Sequence, residues 1–292
     1  MKEENRKAWV SIFIIILIGS AVALAGGQGS VRVFGVPLFV LGVGLAFLIQ
    51  WIAFIPAYIF QTEKFFDLTG SLTYISVAVI SALLSSGVCG RALLLLTLVI
   101  VWALRLGTFL LKRIHHAGED RRFRDIKPSF PRFLLTWTLQ GLWVTLTLSA
   151  ALVAITSTRK GALDIFSLIG VVVWLLGFSV EVIADQQKST FKAAAENRGK
   201  FINTGLWSLS RHPNYFGEIV LWLGVTIIAL PAFSGWGWIA LISPIFVAVL
   251  LTRISGVPML EDRADQKWGG QQDYEIYKAH TPVLIPFSKK RN

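Results

Sequence analysis

Arg211-His-Pro-Asn-Tyr-Phe-Gly-Glu218-Ile-Val-Leu-Trp-Leu-Gly-Val-Thr-Ile-Ile-Ala-Leu230 joins two kinds of sequence that rarely meet. Its first eight residues carry a cation, an imidazole, a carboxamide, a phenol and a carboxylate. The next twelve carry no charge and read as the body of a membrane helix. Polar groups this dense at a membrane face are expensive to bury and are rarely retained without a purpose. Pro213 suits the first turn of a helix. A helix starting there aims free N–H groups and its positive dipole end at whatever binds, which favours an anion such as a phosphate. A snorkelling Arg-His pair is the competing reading, but it leaves Asn214 and Glu218, inside the apolar run, unexplained.

Outward from this stretch the same apolar texture recurs. Hydrophobic residues make up 54% of the 292-residue chain and charged residues only 15%, far from the balance of a soluble domain. Windows of roughly 20 apolar residues predict spans at residues 9–25, 36–60, 72–88, 92–111, 134–155, 163–183, 215–230 and 236–252. The fold class is therefore all-α, a polytopic transmembrane helical bundle of seven or eight spans. The segment around Pro231 and the first span are the softer members of the set. Arg32, Arg91, Arg159 and Lys160 are the only basic residues in the loops of one side, and Arg105 lies within a span. All the others of the 28 Lys and Arg fall on the opposite side. This asymmetry predicts an even number of spans with both termini cytoplasmic. The net charge of +11 thus belongs to a membrane face, and no nucleic-acid partner is expected. Residues 9–24 lack a good cleavage site after them. The single Cys89 excludes an intramolecular disulfide.

Several side chains in or near the spans are candidates for chemistry. Arg105, Phe109 and Arg113 share one helical face at i, i+4, i+8. An Arg this deep either faces a cavity or carboxylate or snorkels to the headgroups. Glu181 and Asp185 form an i, i+4 acidic pair at the cytoplasmic end of the sixth span, with Lys188 and Lys192 continuing the helix. Glu63 and Asp67 form a second such pair, expected at the cytoplasmic end of the second span. A carboxyl group kept protonated there by burial could donate to a developing enolate, whereas a solvated helix end is the plain alternative. The glycine fingerprint at Gly235-Trp-Gly-Trp-Ile-Ala240 follows no strand and is set aside. His115 and His116 point apart with no third ligand at useful spacing, so no metal site is expected. The 253–287 tail is amphipathic enough to lie back on the membrane face.

The stretch 204–218, together with Ser255-Gly-Val-Pro258-Met-Leu-Glu261 and Tyr274-x-x-Tyr277, resembles the C-terminal region of the steroid 5-alpha-reductase-like membrane proteins. Thr62-Glu63-Lys-Phe-Phe-Asp67-Leu-Thr-Gly70, Arg105-Leu-Gly-Thr-Phe-Leu-Leu-Lys-Arg113 and Gly118-Glu-Asp120-Arg-Arg122-Phe resemble a mainly uncharacterised, bacterial-type branch of that family. The resemblance divides the chain into N-terminal spans (1–60), a reductase-like catalytic region (61–287) and a basic tail (288–292). It implies NADPH as cofactor, bound at the cytoplasmic face, and a lipophilic small molecule as substrate, with the bilayer as the other partner and no metal. An Asn and an Asp four residues apart with an Arg seven residues on contact the cofactor in the reductases. Glu181, Asp185 and Lys192 stand at that spacing, so the Asn is Glu here and the Arg is Lys, which loses the bidentate fork. Asn214, Gly217 and Glu218 match an Asn-x-x-Gly-Glu element, and Arg253 matches an Arg one span later.

The implied cofactor-binding set is therefore Arg105, Glu181, Asp185, Lys192, Arg211, His212, Asn214, Tyr215, Glu218, Arg253 and Glu261. Glu63 and Asp67 stand where the family's catalytic carboxylate is sought. The place of the family's catalytic Tyr falls nearest Trp102, which cannot act as an acid. The Arg-His-Pro-x-Tyr-x-Gly core is shared with isoprenylcysteine carboxyl methyltransferases and sterol-nucleus reductases. An S-adenosylmethionine-dependent methyltransferase is therefore the alternative enzyme. A transporter is disfavoured by the one-sided charge and the lack of inverted repeats. The expected setting is a multi-pass membrane protein of a bacterial inner membrane or the endoplasmic reticulum, with its active site facing the cytoplasm.

Overall fold

The computed structural model describes residues 2–85, 87–117, 119–120 and 123–287. The chain is 78% helical, and among the described residues eight helices are long and apolar enough to cross a membrane. It is an integral, multi-pass, all-α membrane protein. Helices suit this solvent because each satisfies its own backbone polar groups where water cannot. The basic tail at 288–292 and Gly118, Arg121 and Arg122 of the motif segments lie outside the described residues.

By its internal contacts the chain falls into two compact units, residues 1–167 with 228–243, and residues 168–227 with 244–292. The first unit holds α1 (Lys2–Gly26), α2 (Leu38–Ile59), α3 (Phe66–Leu84), α4 (Gly90–Ala117) and α5 (Phe130–Thr156). Helix α5 is its centre. Of its most apolar window 89% is buried, against 33–44% for α1 to α4, and α1, α2, α3 and α4 all pack on it. The first span is a full 25-residue helix, packed on α5, α2 and the 3-10 segment Gly235–Leu241. The third span begins six residues before the apolar window predicts, because polar Asp67, Thr69 and Ser71 are accommodated in the opening turns of α3. A two-residue hairpin, β1 (Arg32–Val33) with β2 (Val36–Pro37), follows α1. Phe34 and Gly35 both take positive φ, 52° and 79°, the pattern of a tight type I′ turn.

The second unit holds all but the first turn of α6 (Ile165–Ala193), together with α7 (Pro213–Ala229), α9 (Val257–Trp268) and α10 (Gln272–His280). The region around Pro231 forms 3-10 turns at Leu230–Ala232 and Gly235–Leu241. After them the last span continues as α8 (Ile242–Val249) and then a π turn, Leu250–Ile254, that contains Arg253. A π turn inserts a residue into the helical ladder and is frequent at functional sites.

Candidate functional site

Helices α6 and α7 meet along a seam of glycines. A Cβ on Gly177 would lie 2.4 Å from Leu221 N and 2.6 Å from Gly217 O. One on Gly217 would lie 2.6 Å from both Glu181 N and Gly177 O, and one on Gly224 2.6 Å from Trp174 N. Only glycine lets the two backbones approach this closely. Gly177 lies one turn before Glu181, and Gly217 directly precedes Glu218. The seam therefore brings the acidic pair of α6 beside the first turns of α7. Asp185 Oδ1 accepts a hydrogen bond from Asn214 Nδ2 at 3.1 Å. Glu181 and Asp185 are buried, and Asn214, Tyr215 and Glu218 are half-buried.

The segment before α7 is fixed to the end of α6 and to the tail. Trp207 Nε1 donates to Ala184 O at 3.0 Å, Leu206 N donates to Gln187 Oε1 at 2.9 Å, and the Lys188 ammonium lies 4.3 Å over the Trp207 ring. From the tail, Tyr277 Oη donates to Trp207 O at 2.7 Å. Arg211 N donates to Pro282 O at 2.9 Å and Ser210 Oγ to Leu284 O at 2.8 Å. The tail is thus a strap over residues 207–211. Phe201 packs against Trp268, Tyr274 and Tyr277 and anchors it.

The strap also delivers Glu261. Its two carboxylate oxygens receive His212 Nε2 at 2.7 Å and Arg211 Nη2 at 3.0 Å. Arg211 Nη1 donates to Lys278 O at 3.3 Å. The His212 ring stacks on Tyr215, with 5.7 Å between centroids and 10° between planes. Burial pushes the His212 pKa below its ordinary value, outweighing the Glu261 hydrogen bond, with Lys188 and Arg211 adding in the same direction. Neutral His212 therefore gives its one N–H to the carboxylate. Burial holds the Tyr277 phenol well above its usual range, so it stays a donor.

Of the predicted cofactor-binding residues, Glu181, Asp185, Arg211, His212, Asn214, Tyr215, Glu218 and Glu261 are gathered in this unit. Lys192, in the last turn of α6, and Arg253, in the π turn, are exposed cations of the same unit. The glycine seam, Trp207 and Gln187 went unread. The recurring seven-residue spacing of Gly170 with Gly177 and of Gly217 with Gly224 was their visible signal.

Glu63, Asp67 and Arg105 belong to the first unit. Arg105 lies on the predicted face, its guanidinium carbon 5.3 Å over the Phe109 ring. The carboxylates depart from expectation in two respects. Glu63 is in the connection between α2 and α3 while Asp67 is in the first turn of α3, so they are not neighbours on one helix. Nor is Glu63 kept protonated. Although burial raises its pKa, the Lys127 ammonium at 2.5 Å and the Asp120 N–H at 2.9 Å outweigh burial and hold it below the usual carboxylate range. An ionised, ion-paired carboxylate is no proton donor. Asp67 faces Arg113 at 3.4 Å.

The Tyr74 phenol donates to Trp143 O at 3.5 Å. Tyr74 follows Asp67 by two turns on the same face of α3. It meets buried Trp102 edge-on, with centroids 5.1 Å apart.

A family model described as "protein of unknown function (DUF1295)" matches residues 53–281. The chain belongs to that family. Curated proteins similar to this DUF1295 chain include a steroid 5-alpha-reductase of Gossypium hirsutum, 28% identical over 120 residues that make up 41% of this chain and 42% of the relative. Its counterpart in Arabidopsis thaliana is 28% identical over 121 residues, 41% of this chain and 40% of the relative. A 3-oxo-5-alpha-steroid 4-dehydrogenase 1 of Bos taurus is 28% identical over 120 residues, 41% of each chain. The chain thus spans about two-fifths of the length of the curated relatives it matches, and the resemblance read from the motifs holds. No solved structure matches it.

Proposed function

We propose that this DUF1295 protein is a membrane-embedded, NADPH-dependent reductase that saturates the C=C of an enone in a steroid-like or other lipophilic substrate, working from the cytoplasmic face. The observation that carries the reading is the buried polar cluster where α6 and α7 meet, in a chain similar to steroid 5-alpha-reductases. The cluster suits a dinucleotide. It combines the N-terminus of α7 with carboxylates able to accept from ribose hydroxyls. It also holds two buried nitrogen atoms, Arg211 Nε and His212 Nδ1, without a hydrogen-bond partner among the described residues.

In this reading Asn214 and Glu218 hold the cofactor head, Glu181 and Asp185 fix them, Arg211 and His212 belong to the same binding set, and Lys192 and Arg253 meet phosphates. NADPH, when bound, supplies the hydride for the β-carbon of the enone. The protein's part is to hold the two at attack distance, keep water away and place a donor at the carbonyl oxygen, where negative charge develops. A proton delivered to the α-carbon then completes the reduction. Of the two predicted carboxyl donors, Glu63 is ion-paired to Lys127 and Asp67 faces Arg113.

Thermal unfolding of the detergent-solubilised protein tests the cofactor. NADPH at about a hundred times its dissociation constant adds about 2.7 kcal/mol, a rise of a few degrees. Stabilisation by S-adenosylmethionine alone would move the assignment to a methyltransferase, and no response to either would end the enzyme reading.

A further inference from the structure

Two adjacent residues of the α7 entry keep unused hydrogen-bonding atoms. Arg211 and His212 are only 8% and 4% exposed, yet Arg211 Nε and His212 Nδ1 have no partner among the described residues. Buried polar atoms are nearly always paired, and each exception needs an explanation. The rest of both side chains is committed. Arg211 Nη2 and His212 Nε2 end on the two oxygens of Glu261, and Arg211 Nη1 on the carbonyl of Lys278. Since both end on one carboxylate, the guanidinium and the imidazole are neighbours.

Their unfilled atoms are of opposite kinds. Arg211 Nε always carries a hydrogen. Nε2 of His212, facing a carboxylate, carries the proton in a neutral ring, so Nδ1 is left a bare lone pair. The site therefore offers one donor and one acceptor. A phosphate suits only half of it, accepting from Arg211 while setting its own lone pairs against Nδ1. A primary carboxamide suits both halves, with its oxygen for Arg211 and its amino group for His212. Stacking on Tyr215 fixes the plane of the imidazole and hence the direction of the lone pair.

We infer that Arg211 and His212 together recognise the carboxamide of the nicotinamide ring, with Glu261 as the residue that sets the imidazole tautomer. This rests on the reductase reading and sharpens it. It assigns the Arg-His pair to the reactive end of the dinucleotide, leaving the phosphates to other cations.

Binding by calorimetry to the full chain in detergent tests the assignment without reference to turnover. Three probes separate the sources of the donor. They are NADPH, its 3-acetylpyridine analogue, in which a methyl replaces the carboxamide amino group, and 2′,5′-ADP, which lacks the nicotinamide half. The wild-type protein is expected to bind the acetylpyridine analogue about tenfold more weakly than NADPH, since Nδ1 then stays unpaired. His212→Gln places an amide where Nε2 reaches Glu261 but offers nothing at Nδ1. It should bring the two affinities within about twofold of each other and leave 2′,5′-ADP binding unchanged. Equal wild-type affinity for NADPH and the analogue would overturn the inference, leaving a ribose hydroxyl or a buried water at Nδ1 while the reductase reading stands. Failure of all three probes to bind would instead remove that reading and the inference with it. If the Gln variant does not fold, the wild-type comparison decides alone.

Discussion

Glu63 and His212 are both buried ionisable residues, and they make opposite uses of burial. Glu63 is ionised because Lys127 and the Asp120 N–H stabilise the charge more than burial penalises it. Its pKa is depressed on folding, so its contribution to stability is complete above the unfolded value of about 4.3 and fades as pH falls through the folded value. Lys127→Ala leaves an uncompensated buried carboxylate and should cost about 3 kcal/mol at pH 7. Lowering the pH to about 4 should recover part of that loss as Glu63 protonates. Thermal melts of wild type and variant across pH 3–7 check this, and parallel pH profiles would show that the pair carries no charge linkage.

His212 is held neutral by burial, although Glu261 favours its charged form, and Lys188 and Arg211 oppose charging further. Its pKa is also depressed, and the sign follows the same rule. Its stability contribution is complete above the unfolded value of about 6.5 and fades as pH falls toward the folded value. Loss of stability between about pH 6.5 and 5 should therefore be shallower in His212→Gln than in wild type.

At the scale of elements, the seam between α6 and α7 is the least tolerant feature. Adding a methyl group at Gly177 or Gly217 places carbon within 2.6 Å of facing backbone atoms, which a flexible side chain cannot relieve. Gly217→Ala is expected to part the two helices, cost about 1–3 kcal/mol and abolish nucleotide-induced stabilisation. Gly44 is the control. It lies inside α2 with nothing within 4 Å of a built Cβ, so Gly44→Ala should be neutral or stabilise by up to about 1 kcal/mol. A melt in which both substitutions behave alike would dismiss the seam. The tail strap is the other element with a testable role. Tyr277→Phe removes the donor to Trp207 O. The expected cost is about 1 kcal/mol, together with weaker binding of NADPH and unchanged binding of 2′,5′-ADP, since the strap holds Arg211.

At the scale of the molecule, the basic asymmetry predicts both termini on the cytoplasmic side, with Cys89 on the other. The Cys89 thiol is partly buried. Burial raises its pKa, but the backbone N–H groups of Ala92 and Gly161 and the charge of Lys160 outweigh that, so the thiol ionises more readily than usual. A membrane-impermeant maleimide should label Cys89 in intact cells and leave terminal cysteine tags unmodified, and the reverse pattern would invert the topology. The eight spans and the charged entry to α7 were legible in the sequence because each is local. Twenty apolar residues find their solvent wherever the chain goes, and Arg211, His212, Asn214 and Glu218 stand within two turns of helix. Helical spacing likewise placed Glu181 with Asp185, and Arg105 over Phe109. What the sequence could not decide depends on segments far apart in it. Glu63 is ionised through Lys127, 64 residues on. Tyr74 is set against Trp102 by the packing of α3 on α4, and Glu261 reaches Arg211 and His212 only because the tail turns back across residues 207–211. Hydrophobic length and helical period are properties of a segment, whereas an ion pair or a tautomer belongs to the neighbours that the whole chain path supplies.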